Sequence, residues 1–132
     1  MATIQVTREN FEGLLNKNGI LLLDFWASWC GPCRIFEPVF EKSSEKHKDV
    51  SFGKVNTEEQ EEIAAAFGIR SIPTLMIFRD KVLLFQQAGA LPEAALEQVI
   101  SKVKELDMNM VRAEIARAEQ EEAPSAKLAN AD

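Results

Sequence analysis

The stretch ILLLDFWA, from Ile20 to Ala27, constrains the fold of this 132-residue chain more than any other. A near-continuous apolar run of this length suits a strand covered on both faces, and such strands belong to parallel sheets flanked by helices. Around it the elements alternate. Ile4 to Val6 is a short β-like run, and Thr7 can cap a helix whose apolar positions Phe11, Leu14 and Leu15 fall at helical spacing. After Cys33, the residues Ile35, Phe36, Val39 and Phe40 repeat with a helical period to about Lys48, with a kink predicted at Pro38.

Ser51 to Asn56 reads as a strand, and Thr57 followed by Gln60 fits a capping box that opens a helix through Phe67. Thr74 to Phe78 and Val82 to Gln87 read as a hairpin, although its Arg79-Asp80-Lys81 turn lacks the usual glycine. Pro92 suits a first helical residue, and Leu96, Val99, Ile100, Val103 and Leu106 form the apolar stripe of the helix that follows. The order βαβαβα then ββα predicts an α/β domain with a central mixed five-stranded sheet and four flanking helices. Residues 1–106 are expected to form it.

Just beyond the apolar strand, WASWCGPCR holds both cysteines of the chain, Cys30 and Cys33. As a structural staple the pair would contribute only roughly 2 kcal/mol, because it closes a four-residue loop. A structural zinc site usually takes four Cys or His ligands, and His47 is the one histidine, so no metal is expected. Thiol-disulfide exchange remains: one sulfur attacks and the other resolves. The carboxyl end of a central strand is also where open α/β sheets place their sites.

Composition supports one globular domain. Hydrophobic residues make up 46% and charged residues 27%, and the length suffices for a core without disulfides. A net charge of -6 argues against a nucleic-acid surface, which would need clustered Lys and Arg. No stretch approaches the 18 or so apolar residues of a membrane span, and MATIQVTREN lacks the basic start and apolar run of a secretory signal. A cytoplasmic location is therefore expected, where a transient catalytic disulfide is the usual exception to reduced thiols.

A free thiol near pKa 8.5 is only about 3% ionised at pH 7, so the attacking sulfur needs activation. Cys30, at the first turn of the Ile35 helix, gains it from unpaired backbone N–H groups and the positive helix end. It comes first and is expected to be the more exposed, leaving Cys33 to resolve the mixed disulfide. Gly31 and Pro32 allow close substrate approach and stiffen the turn. Asp24, interrupting the apolar run, should have a raised pKa through desolvation and could accept the Cys33 proton; the alternative is a carboxylate facing solvent at a strand end. Lys54 joins the catalytic set as its charge partner, against the simpler reading of a solvated surface lysine.

DFWASWCGPCR, Pro38, the run KVN at Lys54, FGIRSIPT from Phe67 to Thr74 and the late Gly-Ala at Gly89 together resemble the thioredoxin family over roughly residues 3–106. The resemblance implies a thioredoxin-like fold and a reductant of protein disulfides, with no cofactor beyond the dithiol and a thioredoxin reductase-type electron donor. It implies a cis bond before Pro73 and a backbone at Ile72 offered to an extended substrate segment. Trp29, Gly31, Pro32, Ile72, Pro73, Gly89 and Ala90 would form the flat apolar face on which protein disulfides dock, while Trp26 packs in the core. Phe67, the Gly-less turn and Glu37 before Pro38 depart from the family's usual pattern.

The resemblance ends near Leu106. Met108, Val111, Ile115 and Ala118 then recur at spacings of three and four, so residues 107–123 are expected to form an amphipathic helix capped by Asp107 or Asn109. Pro124 should stop it, leaving 124–132 as a disordered tail. This extension either packs on its own domain or pairs with a partner or second copy, or it is a solvated appendage. It also supports the alternative function, a thioredoxin-like binding module that recruits a partner and whose dithiol is secondary.

Overall fold

The computed structural model describes residues 2–130, with side chains through Glu121. Ten elements follow in the order β1 (Thr3–Gln5), α1 (Phe11–Asn16), β2 (Ile20–Trp26), α2 (Gly31–Lys46), β3 (Ser51–Asn56), α3 (Glu61–Ala66), β4 (Thr74–Arg79), β5 (Val82–Ala88), α4 (Glu93–Glu105) and α5 (Met108–Asn130). The sheet runs β1-β3-β2-β4-β5. β1, β3 and β2 are parallel, and β4 and β5 are antiparallel to their neighbours.

The ILLLDFWA run lies at the centre of this sheet for the reason its composition dictates. Strand side chains alternate between faces. Leu22 belongs to the cluster formed with Phe36 and Phe40 of α2, Phe52 of β3 and Leu96, Ile100 and Val103 of α4. Leu21, Leu23 and Phe25 join the opposite cluster with Val55, Ile63, Met76 and Phe78. Each fully buried apolar side chain of this kind contributes about 1.5–3 kcal/mol, so two filled faces hold β2 firmly. Asp24, by the same alternation, falls on the α2 and α4 face.

Polar contacts pin α2 to α4. Glu97 accepts from Ser43 Oγ at 2.7 Å and meets His47 Nε2 at 2.9 Å, while Lys104 Nζ reaches His47 Nδ1 at 2.9 Å. Arg79, at the far end of β4, donates through Nη1 to the carbonyls of Val103, Lys104 and Leu106 at 2.8, 3.2 and 2.9 Å. It thereby satisfies the orphan acceptors that every helix leaves at its C-terminus.

Several local expectations are corrected. Thr7 does not cap α1; Asn10 is the N-cap residue, and its Oδ1 accepts from the Thr7 N–H at 2.8 Å. The Thr57–Gln60 capping box does not form, because the Thr57 N–H that Gln60 would cap already donates to Trp26 O at 2.9 Å and Gln60 is itself the N-cap. Asn56 Oδ1 takes the N–H groups of Glu58 and Glu59 instead, and α3 starts only at Glu61. Pro92 is the N-cap of α4, one residue before the helix proper.

The β4–β5 hairpin turns without glycine by placing Asp80 and Lys81 at φ 51° and 73°. Two successive left-handed residues are the signature of a type I′ turn. Asp80 is favoured there by its side chain, whose Oδ1 accepts from Gly19 N at 2.9 Å. Lys81 has no such compensation. Lys81→Gly should therefore stabilise the protein by about 0.5–1 kcal/mol, the left-handed cost less the entropy glycine adds to the unfolded chain. Urea unfolding at neutral pH measures it, and a lower midpoint would contradict the assignment.

Beyond α4 the backbone turns extended at Leu106 and restarts as α5. Asp107 Oδ1 caps the new helix by accepting from the N–H groups of Asn109 and Met110 at 3.0 and 3.3 Å. Met108 is buried, but Met110 and Ile115 are exposed. The helix continues through Pro124 to Asn130, past the predicted stop. A proline removes one donor from the ladder, and on a helix in solvent the carbonyl left over can turn to water. Of the tail expected from 124 onward, residues 131 and 132 lie outside the described residues. No described helix is long and apolar enough to cross a membrane.

Candidate active site

Where β2 ends, the chain makes a short loop through Ala27, Ser28 and Trp29 and enters α2. Arg34 ties this loop down, donating from Nε and Nη2 to Ser28 O at 3.1 and 2.8 Å. Cys30 is the N-cap of α2, with extended backbone angles, and its Sγ accepts from Cys33 N at 3.2 Å. Pro32 stands in the first helical turn, where its missing N–H leaves no partner unsatisfied. Cys30 and Cys33 are joined as a disulfide with their Cα atoms 5.2 Å apart.

Exposure does not separate the two sulfurs, contrary to expectation: Cys30 is 4% and Cys33 3% exposed. Ala27 forms one buried cluster with both, and Trp26 and Ile72 pack against that cluster. What distinguishes Cys30 is its surroundings. It alone receives a helix N–H at sulfur, and its Sγ lies 3.7 Å from Ile72 O. Anionic sulfur is favoured at that place, where backbone donors and the helix dipole point outward.

The Ile72–Pro73 bond is cis. Pro73 O accepts from Gly89 N at 2.8 Å, which brings the Gly89-Ala90 segment beside the β4 entrance. Trp29 is 66% exposed, and Gly31, Pro32, Gly89 and Ala90 are exposed as well, whereas Ile72 is half-buried and Pro73 buried. Ile35, part of the apolar pattern that predicts this helix, is 70% exposed. It lies one position off the Phe36 and Phe40 stripe and four after Gly31, which puts it on the outward side of α2. The signal was in the sequence: residue 36, not 35, is in phase with 33 and 40.

Beneath the dithiol lies a pocket of about 260 Å³ lined by Asp24, Trp26, Cys33, Glu37 and Lys54 among others. Asp24 is 1% exposed, and burial pushes its carboxyl from 3.8 up to about 7; the Lys54 charge pulls it down and the Glu37 charge adds to the rise. Its Oδ1 and the Trp26 Nε1 are, among the described residues, buried polar side-chain atoms without a hydrogen-bond partner. Lys54 is neither a solvated surface group nor directly bonded to Asp24. Its side chain is 14% exposed, Nζ meets Glu37 Oε1 at 3.0 Å, and the ammonium stands 4.8 Å from the centre of the Trp26 ring. Trp26 itself is only partly buried. No group of three or more His, Cys, Asp or Glu among the described residues is arranged to hold a metal ion.

A disulfide at a helix start and a buried carboxyl that shares a pocket with Cys33 form one constellation. The thioredoxin family model matches residues 2–102.

The chain belongs to the thioredoxin family.

It is 55% identical over 115 residues to "Putative thioredoxin 2" of Streptomyces coelicolor, covering 87% of this chain and 86% of that protein. The thioredoxin of Porphyra purpurea is 41% identical over 77% of this chain and 97% of its own length. Among solved structures, a mutant thioredoxin from Halobacterium salinarum superposes with a TM-score of 0.73 at 33% identity, covering 80% of this chain and 93% of that one. Family and disulfide together make the protein a thiol-disulfide oxidoreductase that reduces protein disulfides. The thioredoxin fold expected from the sequence is the fold observed, with the five-stranded mixed sheet, four flanking helices and a further C-terminal helix.

Proposed function

We propose that Cys30 is the attacking thiolate of this reductase and Cys33 the thiol that resolves it. Cys30 attacks one sulfur of a substrate disulfide, forming a mixed disulfide and releasing the other substrate sulfur as a thiolate. Cys33 gives its proton to Asp24, directly or through one water, and attacks Cys30 Sγ. The second substrate thiolate leaves, the substrate has gained two electrons, and Cys30 and Cys33 end as a disulfide. The observation carrying this order is the Cys33 N–H at 3.2 Å from Cys30 Sγ, at the N-cap of α2.

Trp29, Gly31, Pro32, Ile72, Pro73, Gly89 and Ala90 are the proposed docking face. The half-buried Ile72, next to the disulfide, supports a substrate segment bound as an added strand. Lys54 tunes Asp24 electrostatically. Each turnover consumes the dithiol, so an electron donor of the thioredoxin reductase type must restore it, and the protein serves electron transport and redox homeostasis in the cytoplasm without a further cofactor. Residues 1–106 act as the catalytic domain. The exposed Met110 and Ile115 support α5 as a docking element for a partner or a second copy, and they favour the second reading, a recruitment module.

The test is mixed-disulfide trapping. Cys33→Ser should accumulate a covalent adduct with a protein disulfide, visible by non-reducing gel and intact mass, and Cys30→Ser should not. Adducts formed equally by both variants would reverse or abolish the assignment.

A further inference from the structure

The Lys54 ammonium is the neighbour of Asp24 in strand register, since the two residues pair across β2 and β3. Yet it makes no hydrogen bond to the Asp24 Oδ1, which stays buried and unpartnered. Lys54 is held elsewhere, by Glu37 Oε1 at 3.0 Å and over the Trp26 ring. Glu37 can reach it because it stands four residues after Cys33 on α2, on the helix face that looks into the pocket below the dithiol.

We propose that Glu37 is a positioning residue for the exchange reaction: by holding Lys54 it keeps that cation off Asp24 and so sets the pH range over which Asp24 takes the Cys33 proton. This rests on the reading of Asp24 as the acceptor of that proton. The groups around Asp24 leave few other candidates. From α2 come Cys33, Arg34 and Glu37, from β3 Lys54, and β4 contributes the apolar Leu75 opposite Asp24. Arg34 is turned away, its guanidinium bonded to Ser28 O. Lys54 is poorly screened because its side chain is only 14% exposed, so what Glu37 does to it is felt at the buried carboxyl. The two charges act on Asp24 with opposite signs: Lys54 favours its ionised form and Glu37 its protonated form.

The experiment is a carbon-detected NMR titration of the Asp24 carboxyl in the full-length oxidised and reduced protein, for the parent, Glu37→Gln and Lys54→Met. It is paired with the pH profile of the resolving step in single turnover of a mixed disulfide with a small aromatic thiol. Glu37→Gln should move the Asp24 titration to lower pH by about 0.5 unit or more, and Lys54→Met should move it upward by a similar amount. The resolving-step profile should follow each shift. A Glu37 serving only to fasten α2 to β3 would move neither readout. An Asp24 titration left unmoved by Glu37→Gln overturns the inference, whatever Lys54→Met does. Asp24→Asn tests the underlying reading separately. If titrations move but that variant resolves the mixed disulfide at the parental rate, the Glu37 coupling stands and the role given to Asp24 falls, together with its link to exchange.

Discussion

At pH 8, Asp24→Asn should be more stable than the parent by about 2–4 kcal/mol, and at pH 3 the two should unfold alike. The carboxyl is buried on β2 and holds its proton up to about 7 in the folded protein, against 3.8 for an ordinary aspartate. Below 3.8 the group is neutral in both the folded and the unfolded chain and costs nothing. As pH rises the unfolded chain releases the proton first, so stability falls through the interval from about 3.8 to about 7 and is fully lost above it. At about 1.4 kcal/mol per pH unit, this interval amounts to about 4 kcal/mol. The asparagine escapes that loss but buries an amide of its own, which lowers the expected gain. The remaining carboxylates titrate equally in both proteins, so the difference between their urea midpoints across pH isolates Asp24. Parallel curves from pH 3 to pH 8 would mean that burial leaves Asp24 no more basic than an ordinary aspartate, too weak a base to draw the proton from Cys33.

Cys30→Ser should lower dithiothreitol-driven insulin reduction by roughly 10³-fold or more, to the rate of dithiothreitol alone. A hydroxyl at this position cannot form the mixed disulfide, and at neutral pH it supplies almost no alkoxide. The helix N–H aimed at the sulfur would still be there, with no anion to receive it. Cys33→Ser should lose steady-state turnover too, while keeping the first covalent step, so the two variants differ in single turnover although both fail in the coupled assay. A Cys30→Ser protein reducing insulin at the parental rate would make the dithiol dispensable and leave α5 recruitment as the main activity.

Much of this could be read before the structure because β2 and the dithiol are local features. ILLLDFWA announces two covered faces by composition alone, and Asp24 stands out as the one charge within it. The Cys30–Cys33 spacing needs only a helix start to acquire meaning, and the helix follows in the next residues. What escaped depends on competition or long-range meeting. Thr57 has the spacing of a cap, but its N–H is already bound to Trp26 O, thirty-one residues earlier in the chain. Lys54 and Asp24 are register partners, yet the ion pair goes to Glu37, whose position on α2 matters only once that helix lies over β3. Ile35 belongs to the apolar pattern of α2 yet faces outward, one helical step off the Phe36 and Phe40 stripe. The Arg79 clamp brings a strand end against a helix end over twenty residues away, and no spacing rule reveals it.

That clamp decides where the appended chain is rooted. β4 begins at Thr74, directly after the cis proline beside the disulfide, and finishes at Arg79, which grips the carbonyl of Leu106. Six strand residues span about 17 Å, so the last turn of α4 and the start of α5 are anchored at the pole of the sheet away from the sulfurs. Cargo fastened near the base of α5 would trail behind the enzyme like a load on a tow hook, leaving the front free to meet oxidised proteins.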